Sequence, residues 1–232
     1  LTYVEILKDG VGGVDGMNNA RGLQVAPDGN HVYVASATDD AVAVFSRNST
    51  TGALTYVEHQ KDAVGGVDGL NGAYGLYITE DDAHVYVASY NDDAVAVFSR
   101  NTTTGALTYV ECLKDDTQGG SVSNLNAARM VKGTYDGSYI LVVSSSDHAV
   151  TVFSRNSTTG ALTFSDEYVD GTGGVDGMNG GRYIAIGDGN TYVCSTGDDA
   201  VSVFDFSVSL PIDLVNFEAE QYDEEVSLNW QT

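Results

Sequence analysis

Cations are scarce in this chain: 10 Lys and Arg stand against 33 Asp and Glu, a formal net charge of -23. Nucleic acid and anionic membrane surfaces are held by clustered Lys and Arg, so both are excluded as partners. Cations, basic partners, or simple solubility in a salty medium remain. No apolar run approaches the roughly 20 residues of a membrane-spanning helix, so no membrane insertion is expected. No segment of useful length has helical periodicity. Cys112 and Cys194 are too few for a disulfide framework. By repeat alignment Cys112 matches Ile6 and His59, and Cys194 matches Ala35 and Ala88 in a buried strand, so both read as small hydrophobes. The chain starts at Leu1 with no signal peptide, which reads as a processed product or a fragment.

Repetition dominates what is present. Leu-Thr-Tyr-Val-Glu opens at Leu1, Leu54 and Leu107, and a looser copy, Leu-Thr-Phe-Ser-Asp, opens at Leu162. Residues 1–53 and 54–106 agree at 38 of 53 positions. A period of this size marks a propeller or solenoid. Each unit carries four short strand signals, in the first copy Arg21–Ala26, His31–Ser36, Ala41–Ser46 and Ala53–Glu58. The middle two alternate Val with Tyr, Ala or Phe, the period-two pattern of a packed sheet. Pro27-Asp28-Gly29-Asn30 presets the turn between the first two.

The expected fold is therefore all-β: a β-propeller of four blades, each of four antiparallel strands. Its units are 1–53, 54–106, 107–161 and 162–209. The last unit lacks a fourth strand of its own, so Leu1–Glu5 is expected to close the last blade and remove an unpaired edge. Leu210–Ala219 and Val226–Thr232 read as a two-strand tail in a segment spanning 210–232, too little to fold alone.

Asp9–Gly16, Ala20–Ser36, Asp39–Asn48 and Thr51–Glu58 resemble the repeat of the bacterial lactonase-like β-propeller family, and the resemblance extends over residues 1–206. It implies a propeller and, for some members, lactone hydrolysis; those enzymes typically have seven blades. Leu210-Pro211-Ile212-Asp213-Leu214, Phe217 and Leu228–Thr232 resemble the segment preceding type IX sorting domains of secreted Bacteroidota proteins. That implies export, hence an extracellular or cell-surface location.

One propeller face should collect carboxylates. The long connections carry Asp9 and Asp15, Asp62 and Asp68, Asp115 and Asp116, and Asp170 and Asp176. The short turns carry Asp39 and Asp40, Asp92 and Asp93, Asp147, and Asp198 and Asp199. Ca2+ takes six to eight hard oxygens, so Asp9, Asp15, Asp62, Asp68, Asp115, Asp170 and Asp176 are candidate ligands and Ca2+ the one cofactor indicated. Solvated turns use the same residues. Gly10–Gly16 mimics a phosphate loop, but no helix or Lys-Ser/Thr pair follows it. Arg21, Tyr74, Arg129 and Arg182 open the inner strands and should line the channel mouth, where the arginines could clamp a carboxylate or neutralise the aspartates. His31, His59, His84 and His148 do not converge, and no Ser-His-Asp or Cys-His constellation is visible. Asn48, Asn101 and Asn156 head N-x-Ser/Thr sequons on the opposite face, as glycan acceptors or ordinary turns.

Near-identical blades argue against a specialised catalytic site. The leading expectation is a secreted, non-catalytic structural or adhesive module that associates with itself, its tail donating a strand to a neighbour. The alternatives are a lactonase-like hydrolase using Arg21, Arg129 and Arg182, or a module binding calcium or extracellular glycans.

Overall fold

The alternating segments of the first unit fold into β1 (Ala20–Val25), β2 (His31–Ser36), β3 (Ala41–Arg47) and β4 (Leu54–Lys61), ordered β1-β2-β3-β4 in one antiparallel sheet. β-branched and aromatic side chains suit a pleated surface packed on both faces. Every residue of β2 is buried, as are the first five of β3. Between β1 and β2, Gly29 takes φ 73° and the Asp28 carboxylate accepts from Asn30 N at 2.8 Å, the turn chemistry anticipated from the sequence. The fourth strand runs three residues beyond the expected Glu58, because His59, Gln60 and Lys61 continue the pairing with Ala43, Val42 and Ala41.

This description comes from a computed structural model and covers residues 1–205, apart from 121 and 188, and two further strands. The second blade is β5 (Ala73–Ile78), β6 (His84–Ser89), β7 (Ala94–Arg100) and β8 (Leu107–Lys114). The third is β9 (Ala128–Gly133), β10 (Tyr139–Ser144), β11 (Ala149–Arg155) and β12 (Leu162–Val169). The fourth is β13 (Gly181–Ile186), β14 (Asn190–Ser195) and β15 (Ala200–Asp205), three strands among the described residues. β16 (Asn216–Tyr222) and β17 (Glu225–Gln231) pair with each other, matching the two-strand tail. Residues 210–215, which carry part of the export-like resemblance, lie outside the described residues.

The apolar core lies between blades. Tyr33, Ala35, Val42 and Val44 of the first blade meet Leu76, Ile78, Val85, Val87 and Phe98 of the second. Tyr86, Val95 and Val97 pack with Ile140, Val142 and Phe153, and Leu141, Val150 and Val152 with Ile184 and Val193. Each fully buried side chain of this size contributes about 1.5–3 kcal/mol. The inner strands touch in the order β1 to β5, β5 to β9 and β9 to β13. The described blades therefore form an all-β, propeller-like arc with two open ends.

That arc corrects one detail of the expected ring. Residues 1–8 form no strand and do not join the sheet of β13–β15. Glu5 instead accepts from Leu54 N on the first blade, repeating Glu58 with Leu107 and Glu111 with Leu162. Leu7 and Met17 pack with Phe45 in the same place. The segment thus lies beside the first blade as each outer strand lies beside the blade after it. Cys194 is exposed rather than buried, because among the described residues no blade covers the face of β14 and β15 turned away from the third blade; both cysteines are free.

Candidate functional site: an arginine–tyrosine cleft

All four inner strands carry a register shift at one place. Ala20 pairs with Ser36 but Gly22 with Ala35, leaving Arg21 as the extra residue. Tyr74, Arg129 and Arg182 are the extra residues of β5, β9 and β13. A bulge re-aims its unpaired side chain out of the sheet, a recurrent arrangement beside binding sites. The four residues expected at the channel mouth thus share one backbone device at the start of their inner strands.

The structure brings three of them together. Arg21 and Arg129 approach the Tyr74 ring at 5.3 and 5.1 Å, and Arg129 lies 4.6 Å from the Tyr90 ring. With Asn19, Ala37, Gly72 and Asn91 they line a cleft of about 310 Å³. Guanidinium over an aromatic face is held by the ring quadrupole and keeps its edge free to donate. Arg129 Nε is buried and makes no hydrogen bond among the described residues. A buried donor without an acceptor is uncommon and calls for explanation. Arg182 stands apart, donating through Nε to Thr196 Oγ1 at 3.1 Å.

Tyr90 and Asn91 were missed from sequence. They stand where the other units have Ala37-Thr38, Ser145-Ser146 and Thr196-Gly197. Tyr74 also replaces an arginine, so the second unit departs from the repeat twice at adjacent places. That paired departure was the available signal.

The aspartates serve mainly as joints. Asp9, Asp62, Asp115 and Asp170 accept from Met17, Leu70, Leu125 and Met178 N at 2.8–3.0 Å, closing each long connection. Asp39, Asp92, Asp147 and Asp198 accept from Asn18, Asn71, Asn126 and Asn179 N. Three acid groups do converge: Asp9, Asp15 and Asp39; Asp62, Asp68 and Asp92; and Asp170, Asp176 and Asp198, each with one oxygen per residue within 4.8 Å of the others. With one oxygen from each carboxylate, the rest of the six to eight oxygens of Ca2+ would have to come from the second carboxylate oxygens, backbone carbonyls or water. In the second group Lys114 Nζ lies 2.7 Å from Asp68 and 3.5 Å from Asp92. The third unit has Ser123 for Asp68 and Val169 for Lys114, so acid and base are lost together. Its Asp115 instead accepts from Thr117 N and Oγ1. Burial acts to raise the Asp115 pKa, but these bonds and that from Leu125 outweigh it and hold the carboxyl below its usual range.

The histidines are dispersed. His31 and His84 lie against Arg100 and Arg155 at 2.9 and 2.8 Å, His59 against the Tyr56 hydroxyl, and His148 against Gly180 N. The Asn48, Asn101 and Asn156 carboxamide oxygens cap their own turns, accepting from Thr50 and Thr51, Thr103 and Thr104, and Thr158 and Thr159 N.

The sequence profile described as Lactonase, 7-bladed beta-propeller matches residues 15–177. No curated protein matches the chain. A candidate 6-phosphogluconolactonase from Bacteroides fragilis superposes with TM-score 0.54 at 23% identity, covering 65% of this chain and 39% of that one. The periplasmic gluconolactonase of Pseudomonas aeruginosa gives 0.55 at 22% identity, covering 66% and 40%. A protein of unknown function from Desulfotomaculum acetoxidans gives 0.65 at 17%, covering 82% and 55%. The chain thus spans about two fifths of the two lactonase structures. At these identities the likeness establishes the fold.

Proposed function

The chain belongs to the lactonase, 7-bladed β-propeller family, and on that footing we propose that its arginine–tyrosine cleft takes a small sugar-derived acid or the corresponding lactone. The observation that carries this reading is Arg129, lying over both the Tyr74 and Tyr90 rings with its buried Nε unmatched among the described residues. A carboxylate or phosphate would satisfy that donor in a charge-assisted bond. The tyrosine faces suit the apolar face of a sugar ring, and about 310 Å³ is the lower end of the range for small-molecule sites. On a lactone the guanidinium would polarise the ring carbonyl and stabilise the oxyanion formed when water attacks. Among the described residues no carboxylate or histidine lines the cleft, so what these residues contribute is binding and electrostatics.

The test is calorimetric titration with 6-phosphogluconate and gluconate, alongside pH-stat measurement of lactone ring opening. Arg129→Ala should weaken binding and turnover by roughly tenfold or more, the cost of a lost charge-assisted bond. Arg182→Ala, outside the cleft, should change neither. Absence of binding by the unaltered chain, or equal losses in the two variants, would overturn the reading.

A further inference from the structure

Asn91 brings to the cleft a polar group that is held from behind. Asn18, Asn71, Asn126 and Asn179 stand at one place in the four units, whereas Asn91 stands where the others have Thr38, Ser146 and Gly197. The second unit alone of the four therefore sets two carboxamides side by side. The backbone brings them together: Asn91 N donates to Asn71 O at 3.2 Å, and Asn71 N donates to the Asp92 carboxylate at 3.1 Å. The side chains then bond directly, Asn91 Nδ2 donating to Asn71 Oδ1 at 3.1 Å. Gly72 completes the seat. Its φ is 72° and a Cβ there would lie 2.9 Å from the Asn91 Cγ, Nδ2 and N atoms, so the carboxamide occupies the space a side chain would need.

A carboxamide has one acceptor oxygen and a donor NH2 group. Asn71 engages the Nδ2 end, which leaves Oδ1 for the cleft that Asn91 lines, and that oxygen receives no hydrogen bond among the described residues. The Arg21 and Arg129 guanidiniums of the same cleft are donors only. Donors for an anion thus stand beside a held acceptor, the complement of an acid that also bears hydroxyl groups.

We propose that Asn91 Oδ1 accepts from a ligand hydroxyl and makes the cleft selective for polyhydroxy acids over acids without hydroxyl groups, with Asn71 as the positioning residue that holds the carboxamide. This rests on the cleft being the ligand site proposed above. A side chain already held in place loses less rotamer freedom when the ligand binds. An acceptor placed to meet a hydroxyl also penalises the analogue that lacks one, because the acceptor is then left unpaired.

Calorimetric titration with gluconate and with hexanoate, an acid of the same length and charge without hydroxyl groups, tests this. The unaltered chain should bind gluconate the more tightly. Asn91→Ala, at an exposed position, should melt near the unaltered chain and lower the gluconate-to-hexanoate affinity ratio by roughly two- to tenfold, the worth of one neutral hydrogen bond. Asn71→Ala should lower the same ratio by a smaller factor, since it frees the carboxamide without removing it. Asn91→Asp, an acceptor without a donor, should weaken both anions through its charge yet keep their ratio. A ratio unchanged by Asn91→Ala or by Asn71→Ala, or one as low in Asn91→Asp as in Asn91→Ala, would overturn this assignment and leave the cleft as the binding site. No gluconate binding by the unaltered chain would overturn the cleft reading itself, and this inference with it.

Discussion

His148 Nδ1 accepts the backbone N–H of Gly180 at 2.9 Å, joining the third blade to the fourth. Asp40 does the same for Gly72 and Asp93 for Ala127, at 2.8 and 2.7 Å. All three acceptors occupy left-handed backbone, with φ 52°, 50° and 54° at Asp40, Asp93 and His148. A histidine in place of the repeat's aspartate therefore preserves both the bond and the conformation.

His148→Asp should accordingly be tolerated, changing stability by less than about 1 kcal/mol. His148→Ala removes the acceptor and leaves a β-carbon in left-handed backbone without a compensating bond. It should cost about 1–3 kcal/mol. Urea midpoints of the two variants decide the matter, and equal losses would mean that the Gly180 bond contributes nothing.

Gly75 sits where two inner strands press together. A β-carbon there would lie 2.5 Å from Arg129 O and 2.9 Å from Met130 Cα, and on Gly22 it would lie 2.5 Å from Tyr74 O. Backbone atoms cannot swing aside, so Gly75→Ala must push β5 from β9. The expected loss is about 1–3 kcal/mol, measured by urea unfolding. Because the push falls between Tyr74 and Arg129, the affinity of the cleft should fall with it.

Lys114 neutralises the acid group of Asp68 and Asp92. Burial raises the Asp92 pKa despite the bond from Asn71 N and the charge of Lys114, so this is a crowded anionic site. Lys114→Ala should lower the melting temperature at low salt, by an amount equivalent to about 1 kcal/mol or less, since Asp68 is well exposed. Raising NaCl to 1 M should close much of the gap by screening. Recovery by millimolar Ca2+ beyond that given by NaCl of equal ionic strength would assign a divalent cation to the group; no recovery by either would remove its electrostatic role.

The blades were legible because Val32–Ala35 and Val42–Phe45 state their period twice over and the repeat restates it. The equivalence of Arg21, Tyr74 and Arg129 at the start of the inner strands followed from the same alignment, and the structure gathers the three in one cleft. The bulges that aim them did not follow from it, because a one-residue slip in pairing leaves no mark on composition. Closure by Leu1–Glu5 failed for a related reason. A strand-like phrase says that it can pair, whereas Glu5 finds Leu54 on the first blade through geometry 49 residues away in sequence. Near-identity of the units also hid Tyr90, whose importance lies in its difference from Ala37, Ser145 and Thr196.

Acid should loosen the blade junctions in two stages. Burial, and then the charge of Arg100, depresses the His31 pKa from its ordinary 6.5; burial and Arg155 do the same for His84. A histidine with a depressed folded pKa stabilises the fold above the unfolded value of 6.5, and that stability is lost as pH falls below it. The carboxylates act lower. Burial raises the Asp28 pKa, but the Arg100 and Asn30 hydrogen bonds and the Arg100 charge outweigh it; at Asp81, burial is outweighed by bonds from Thr79, Arg155 and Ala83. Both end below the ordinary 3.8, so their contribution is present above that value and disappears beneath it. Asp92 and Asp147, raised mainly by burial, work the other way and gain as pH falls toward 3.8, which flattens the interval between the stages. Melting temperatures measured from pH 8 to pH 3 should begin to fall below about 6.5, level, and fall again below about 4. His31→Gln with His84→Gln should abolish the first decline and leave the second. A first decline that survives the double variant would place the acid-sensitive group elsewhere in the blades.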